Sequence, residues 1–269
     1  RDSSGIVPVP DRRLDIITSY IQTKKIVPTT IEFVDIAGLI KGASKGEGLG
    51  NKFLGHIREV DAIAHVVRCF EDGNVPHVCD AIDPASDIDT INTELMIADM
   101  ESLERRKTKI EKLAKSGDKE ARSQMEVIKK LIQSIDKNIP ARAITDFTDE
   151  DKKFAKSLTL LSAKPVLYIC NVMDPGDTKS DLVQKVKDIA KYDGSAVVAL
   201  AGKIEGEIME MEDPEEQKMF MEEMGLKETG LDRMIATGYS LLELSTYFTA
   251  CLLYTSPSPR DATLCRMPS

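Results

Sequence analysis

Asp35 closes an apolar run, Ile31 to Val34, and Gly38 follows three residues later. A carboxylate at a strand tip is a hard oxygen ligand that can hold a water on Mg²⁺. A glycine just beyond it lets a backbone amide come close to a terminal phosphate, because no Cβ intervenes. Gly42, Gly46, Gly48 and Gly50 come next, in a loop able to rearrange when a phosphate orders it. D-x-x-G is a weak signal, and a solvated loop after a core strand explains these four residues better when they are taken alone. A second strand end strengthens the first. "YICNVMD" (168–174) finishes on Asn171 and Asp174, which can tie loops together and accept from ring N–H groups of a base. The simpler reading is an Asx-rich turn. A third strand end, "LAGKIEGEI" (200–208), offers a small-residue turn at Ala201 and Gly202 that can lie against a base. Three strand ends in this chain order are more specific than any one of them.

Other chemistry-bearing residues carry less. Gly46 to Gly50 spell G-x-G-x-G, which lacks the dinucleotide spacing and trails its strand by about a dozen residues. His56, His65 and His77 share no metal-ligand spacing; His65 reads as a core histidine within a strand, the other two as surface residues. Cys69 and Cys170 end apolar runs, Cys79 sits in a polar stretch, and no CxxC pair occurs, so all three read as reduced structural thiols. The Met-rich acidic stretch 208–225 reads as an amphipathic helical pair restarted at Pro214 rather than an adaptable binding face.

The elements that must position these residues form an α/β pattern. "TIEFVD" (30–35), "AIAHVVRCF" (62–70), "KPVLYIC" (164–170) and "SAVVAL" (195–200) look like strands buried on both faces of a mostly parallel sheet. Helical stretches fall at about 50–59, 181–191, 204–224 and 230–242. Residues 86–138 break that rhythm. Ala121, Met125, Ile128, Ile132 and Ile135 form a heptad seam, and Ile88, Ile91, Leu95, Leu103, Ile110 and Leu113 form a less regular one. Gly117 suits the end of one helix and Asp118 the cap of the next, so an antiparallel helical hairpin inserted between two strands is expected. The alternative is two surface helices lying flat on the sheet.

The chain has 269 residues, 42% hydrophobic and 30% charged, with net charge −9. That suits one large or two smaller domains and argues against general nucleic-acid affinity, while leaving room for a local basic face. One such face stands out: "ERRKTKIEKLAK" (104–115) holds six basic and two acidic residues, among them Arg105, Arg106, Lys107, Lys109 and Lys112. It can meet RNA phosphates; a solvated Lys/Glu face is the bland alternative. No apolar run is long enough to span a bilayer and no signal peptide opens the chain, so a cytoplasmic protein with no membrane partner is expected.

Three stretches carry a resemblance: "PTTIEFVDIAGLIKGASKGEGLGNKFLGHIREVDAIAHVVRCFED", "DPASDIDTINTELMIADMESLERR" and "GLDRMIATGYSLLELSTYFTA". From about Gly5 to Ala250 the chain resembles the YchF family, the Obg-like ATPases among the P-loop GTPases. The resemblance implies a Ras-like nucleotide-binding domain in two parts (1–83 and 163–245), an inserted coiled-coil hairpin (84–162) and the start of a TGS domain (246–250). It implies Mg²⁺-dependent hydrolysis of ATP in preference to GTP, and a monomer that associates with the ribosome. Carried over by residue, Asp35 matches the Mg²⁺–water acid and Gly38 the γ-phosphate contact. Leu39 stands where many GTPases have the catalytic Gln, so no catalytic residue is assigned. Asn171, Val172, Met173 and Asp174 match the base motif, with Val172 in place of a lysine and Asp174 in place of the family's longer Glu. That length is what guanine readers use, and it leaves the choice between ATP and GTP open. Ala201 replaces the usual Ser or Cys beside Gly202.

No G-x-x-x-x-G-K-[ST] occurs in the 269 residues. The phosphate cradle, its lysine and the Mg²⁺ hydroxyls are therefore expected upstream of Arg1, and the chain is expected to be an inactive fragment with a sheet incomplete at its N-terminal edge. "CLLYTSPSPRD" (251–261) lacks periodicity and can be back-translated to a sequencing adapter; 251–269 is expected to be a translated artefact. The other class of function to weigh is a non-catalytic ribosome- or protein-interaction module that works through the hairpin.

Overall fold

The computed structural model describes residues 4–21, 25–36, 49–71 and 82–249. Its centre is a three-stranded parallel sheet of β3 (Ile63–Arg68), β4 (Val166–Asn171) and β5 (Ala196–Leu200), with β4 in the middle. β4 reads Val-Leu-Tyr-Ile-Cys because both of its faces are covered. Val166, Tyr168 and Cys170 face a core built with α2 (Leu49–Glu59), the root of α3 (Pro84–Lys115) and α6 (Asp181–Asp193). Leu167 and Ile169 face α9 (Gly230–Leu241) through Met234 and Leu241. That second helix does not reach β3, whose Val66 is 63% exposed.

The first strand expected in this sheet lies elsewhere. Thr30–Val34 (β2) pairs antiparallel with Ser4–Pro8 (β1) as a separate two-stranded ribbon. Its side chains alternate between half-buried Ile31 and Phe33 and exposed Thr30, Glu32 and Val34. This corrects the reading of a strand buried on both faces. The alternation was present in the residues, but the surrounding apolar run masked it. Helix α1 (Arg12–Tyr20), started by Asp11 accepting from the Arg13 N–H at 3.0 Å, buries no residue and left no apolar stripe to detect.

The hairpin forms as its caps dictate. Asp83 accepts from Ala85 N at 3.2 Å, Pro84 takes the first helical position, and Lys112 and Lys115 sit in the last turn of α3, where cations suit the helix dipole. Gly117 has φ 99°, and Asp118 accepts from Glu120 N at 2.9 Å and Ala121 N at 3.1 Å to start α4 (Lys119–Asp136). At 32 residues α3 is about 48 Å long. Its irregular seam reflects two successive cores. Ile88, Leu95 and Ala98 belong to the α/β core, whereas Met96, Leu103 and Ile110 belong to the hairpin's own. Leu113, expected in the seam, is 55% exposed. On α4 the buried stripe is wider than a coiled-coil seam and takes in Val127 and Leu131. The reason is a third helix, α5 (Asp149–Ser157), whose Phe154 and Ala155 pack on the same core. The remaining helices are α7 (Gly202–Met209) and α8 (Pro214–Glu223), the latter restarted at its proline.

Two buried polar clusters join the hairpin to the sheet. Asp99 accepts from Leu161 N and Ser162 N, both at 2.7 Å. Arg142 pairs with Asp193 at 2.7 Å, both nearly fully buried, and also donates to Asn92 at 2.8 Å and to the Tyr168 hydroxyl at 3.1 Å. Tyr168 in turn donates to Asp193 at 2.9 Å. Helix α6 runs antiparallel to its strands, so its last residue, Asp193, lies at their amino ends, opposite Asn171.

Candidate functional site

At the carboxyl ends of the parallel strands, Asn171 is the residue through which all three meet. Its carbonyl accepts from Cys69 N at 2.8 Å, just past β3. Its side-chain Oδ1 accepts from Gly202 N at 3.2 Å, just past β5. The next residue, Val172, donates its N–H to the Leu200 carbonyl at 3.0 Å. Gly202 leaves little room at this closure. A Cβ there would stand 3.1 Å from Asn171 Oδ1 and 3.4 Å from Leu200 Cδ1.

The residues after Asn171 divide between core and solvent. Val172 is 3% exposed and packs in the α/β core, so only its backbone is open to a ligand. Met173 and Asp174 are exposed. Asp174 precedes the short 3₁₀ turn Pro175–Lys179, where an acid commonly caps the first N–H groups, yet its carboxylate accepts no capping bond. It is thus available to an incoming N–H donor. Ala201 is fully buried and donates its N–H to Glu205 Oε1 at 3.1 Å.

Glu205 was not anticipated from the sequence. Its second oxygen accepts from Gly230 N at the start of α9, and Arg233 approaches Oε1 at 3.4 Å while donating to the Ala199 carbonyl at 2.9 Å. A buried carboxylate therefore fastens the β5–α7 turn to α9. A glutamate one turn into a helix after a small-residue turn was the only local signal, and its partners lie 25 and 28 residues away.

Asp35 follows β2 directly and is exposed, with no hydrogen bond or ion pair among the described residues; its neighbour Ile36 packs against the α/β core. No hydrogen bond of Asn171 reaches Asp35. Gly38 and Leu39 lie outside the described residues, as do Cys79 and His77. Cys69 and Cys170 are free, buried thiols below Asn171; the Cys69 thiol donates to the Cys170 sulfur, which raises the pKa of the first and lowers that of the second.

The basic residues lie far from this end. Ile88, near the start of α3, packs in the same core as Cys69, which places that end of the helix near the strand tips. Arg105 comes 17 residues later, about 26 Å along the helix. Arg105, Arg106, Lys109 and Lys112 are exposed, whereas Lys107 is paired with Glu104 at 3.1 Å.

Comparisons with known proteins are consistent in direction. A protein-family model described as 50S ribosome-binding GTPase matches residues 10–98. The ribosome-binding ATPase YchF of Bacillus subtilis (strain 168) is 51% identical over 251 residues, covering 91% of this chain and 68% of its own length. The ribosome-binding ATPase YchF of Haemophilus influenzae is 48% identical over 248 residues, covering 92% and 68%. The structure of the Schizosaccharomyces pombe YchF GTPase aligns with a TM-score of 0.75 at 32% identity, over 89% of this chain and 65% of that one. The chain thus spans about two thirds of the length of the relatives it matches.

Proposed function

The chain belongs to the YchF family, and from that premise we propose that it carries the base-recognition and Mg²⁺-side half of an ATPase that works on the ribosome. The observation that carries this reading is the joining of three strand tips by Asn171, whose bonds to Cys69 and Gly202 hold the β4 and β5 loops side by side. In open α/β sheets ligands bind beyond the carboxyl ends of the strands. Asp174 accepts there from the exocyclic amino group of adenine, or from the ring N–H and amino group of guanine, the Met173 side chain covers the ring, and the backbones of Val172, Ala201 and Gly202 form the rear wall. The absence of a lysine at 172 favours adenine; the short acid at 174 keeps GTP as a second substrate.

Asp35 fits a Mg²⁺ site in one respect that can be tested: its carboxylate is exposed and free of competing cations among the described residues. Mg²⁺ held there through a water would neutralise charge on the transferring phosphate. Gly38 contributes an amide to the same phosphate. With Leu39 in place of a glutamine, some other group orients the attacking water.

The phosphate cradle is not encoded in these 269 residues, which contain no G-x-x-x-x-G-K-[ST]. Among the described residues Val66 on β3 is 63% exposed, which leaves room on that side of the sheet for a cradle brought by other residues. The 269 residues alone therefore hydrolyse no nucleotide at a measurable rate, because the largest electrostatic contribution to phosphoryl transfer is missing. Phosphate release from Mg·ATP above the buffer control would overturn this.

The hairpin is proposed as the arm that meets the ribosome, with Arg105, Arg106, Lys107, Lys109 and Lys112 towards RNA. The division into nucleotide-binding parts (1–83, 163–245), hairpin (84–162) and TGS start (246–250) belongs to the same proposal, as do a cytoplasmic location and a monomeric state. The two separate cores support the division, with Ile88, Leu95 and Ala98 rooting the first hairpin helix in the α/β core.

The second reading, a non-catalytic module working through the hairpin, is favoured by the missing lysine motif. Saturation-transfer NMR separates the two. Base protons of ATP should receive saturation from the wild type and much less from Asn171→Ala and Asp174→Ala. Equal transfer in all three, or none in the wild type, refutes the nucleotide reading and leaves the module.

A further inference from the structure

We propose that the groove between α3 and the end of α5 is a seat for one phosphate–sugar unit of an unpaired RNA segment. This rests on the ribosome reading above and gives that contact a location and a chemistry.

The first observation is the pairing of charges. In 104–115 each acid is already committed, Glu104 to Lys107 at 3.1 Å and Glu111 to Lys115 at 2.8 Å. Arg105, Arg106, Lys109 and Lys112 are left without a carboxylate among the described residues. A face built only for solvation would alternate sign at three- and four-residue spacing. Here Arg105 and Lys109, Arg106 and Lys109, and Lys109 and Lys112 stand at those spacings with like charge. Each such pair costs about 0.2–0.5 kcal/mol in an isolated helix. Glu101, one turn before Arg105, and Glu104 line a neighbouring groove with Asp136 of α4, so acid borders the basic stretch on that side.

The second observation is shape. Arg105, Arg106 and Lys109 do not project from a convex surface. They line a groove of about 340 Å³ in which half-buried Leu158 is the apolar contact, Leu103 and Leu160 beneath it being buried in the hairpin core. That volume is at the small end of the range for ligand sites, about 300–1,000 Å³. Arg105 anchors its Nε on the Glu101 carbonyl at 3.2 Å, which leaves the outer guanidinium nitrogens for a ligand. Ser102 adds a hydroxyl without a partner among the described residues, while the Ser157 hydroxyl already donates to the Phe154 carbonyl at 2.6 Å. Two arginine forks and a lysine around a groove match a phosphate, and half-buried Leu158 lies beside it for the sugar that follows. An acidic peptide would use the same cations, and the ribosome reading favours the phosphate. A duplex presents its phosphates on a rod too wide to enter the groove.

The test uses the whole chain, a labelled single-stranded oligouridine, a duplex of the same length, and poly-glutamate as competitor, read by fluorescence anisotropy. With one phosphate in the groove the log–log salt slope for a single strand is about −0.7, so affinity should fall about 3-fold from 50 to 200 mM KCl. The triple variant Arg105→Glu/Arg106→Glu/Lys109→Glu should bind at least about 5-fold more weakly at 0.1 M salt, which is the whole electrostatic gain of that slope. A variant with the same charge change elsewhere, Lys129→Glu/Lys137→Glu/Lys191→Glu, should stay near the wild type. Cosedimentation with ribosomes is run in parallel, with circular dichroism to establish folding. RNA binding unchanged in the first variant overturns the proposal; if ribosome pelleting persists, the ribosome reading survives it. Preference for the duplex, or binding of poly-glutamate in place of RNA, also overturns it. Loss of RNA binding in the first variant alone, with no pelleting by the wild type, upholds the groove and refutes the ribosome reading.

Discussion

Replacing Gly230 by alanine tests how the base-side turn is held. Gly230 begins α9, and its N–H donates to the buried Glu205 carboxylate. A Cβ added there would lie 2.6 Å from Glu205 Oε2, 2.9 Å from Oε1 and 2.7 Å from Leu200 Cβ. The carboxylate can swing away, but the Leu200 Cβ is fixed to β5 and cannot. Relief therefore requires α9 to move off the sheet, which also breaks a hydrogen bond to a charged group, worth about 1.5–3 kcal/mol. Overpacking of this kind costs a further 1–3 kcal/mol or so, and since one movement relieves both, the expected loss is about 3 kcal/mol. With a urea m value of about 3 kcal/mol/M, the midpoint should fall by about 1 M. Gly238 in the same helix is the control. A Cβ there meets nothing within 4 Å, so Gly238→Ala should gain up to about 1 kcal/mol of helix propensity. Adding Glu205→Ala to Gly230→Ala should relieve only part of the clash, because Leu200 remains. A Gly230→Ala midpoint equal to the wild type would refute the close approach and, with it, the clamp that carries the Ala201–Gly202 turn.

Asp193→Ala should cost about 3–5 kcal/mol, because it leaves the buried Arg142 guanidinium without its charge partner, whereas Asp146→Ala, which removes an exposed pair with Lys130, should cost under about 1 kcal/mol. Equal, small losses in urea titrations of the two would count against a buried clamp. His65 lies with its ring 5.9 Å from that of Tyr168, and burial, reinforced by the Arg142 charge, lowers its pKa to about 4. The unfolded chain takes up a proton near pH 6.5 that the folded chain refuses until about 4, so stability is full above 6.5 and falls as pH drops to 4. The loss is at most about 3 kcal/mol, and His65→Asn should remove it; identical pH profiles for the two proteins would contradict this.

Sequence carried the parts of this fold that local pattern controls. Val166 to Cys170 had to be a strand buried on both sides, and Gly117 with Asp118 had to turn one helix into the next, because burial and capping act over a few residues. The irregular seam of α3 was visible, but not its cause, which is a helix passing from one core into another at Asp99. Pairings between distant residues left no period to read. Arg142 and Asp193 are 51 residues apart, and Glu205 and Gly230 25. At the site, Asn171 stood out because a strand ended on it, and Gly202 for the same reason at β5. Val172 looked like a ligand contact from its place in the motif, but its β-branched side chain continues the core beyond the strand end.

The account's central claim is that separate strand tips serve one nucleotide, and amide chemical-shift mapping with Mg·ATP on the labelled chain reads this directly, even at millimolar affinity. The amides of Asn171, Met173, Asp174 and Gly202 should move together with those of Asp35 and Ile36, all titrating with a single dissociation constant. Shifts confined to one strand tip, two different constants, or changes only along the hairpin would contradict it.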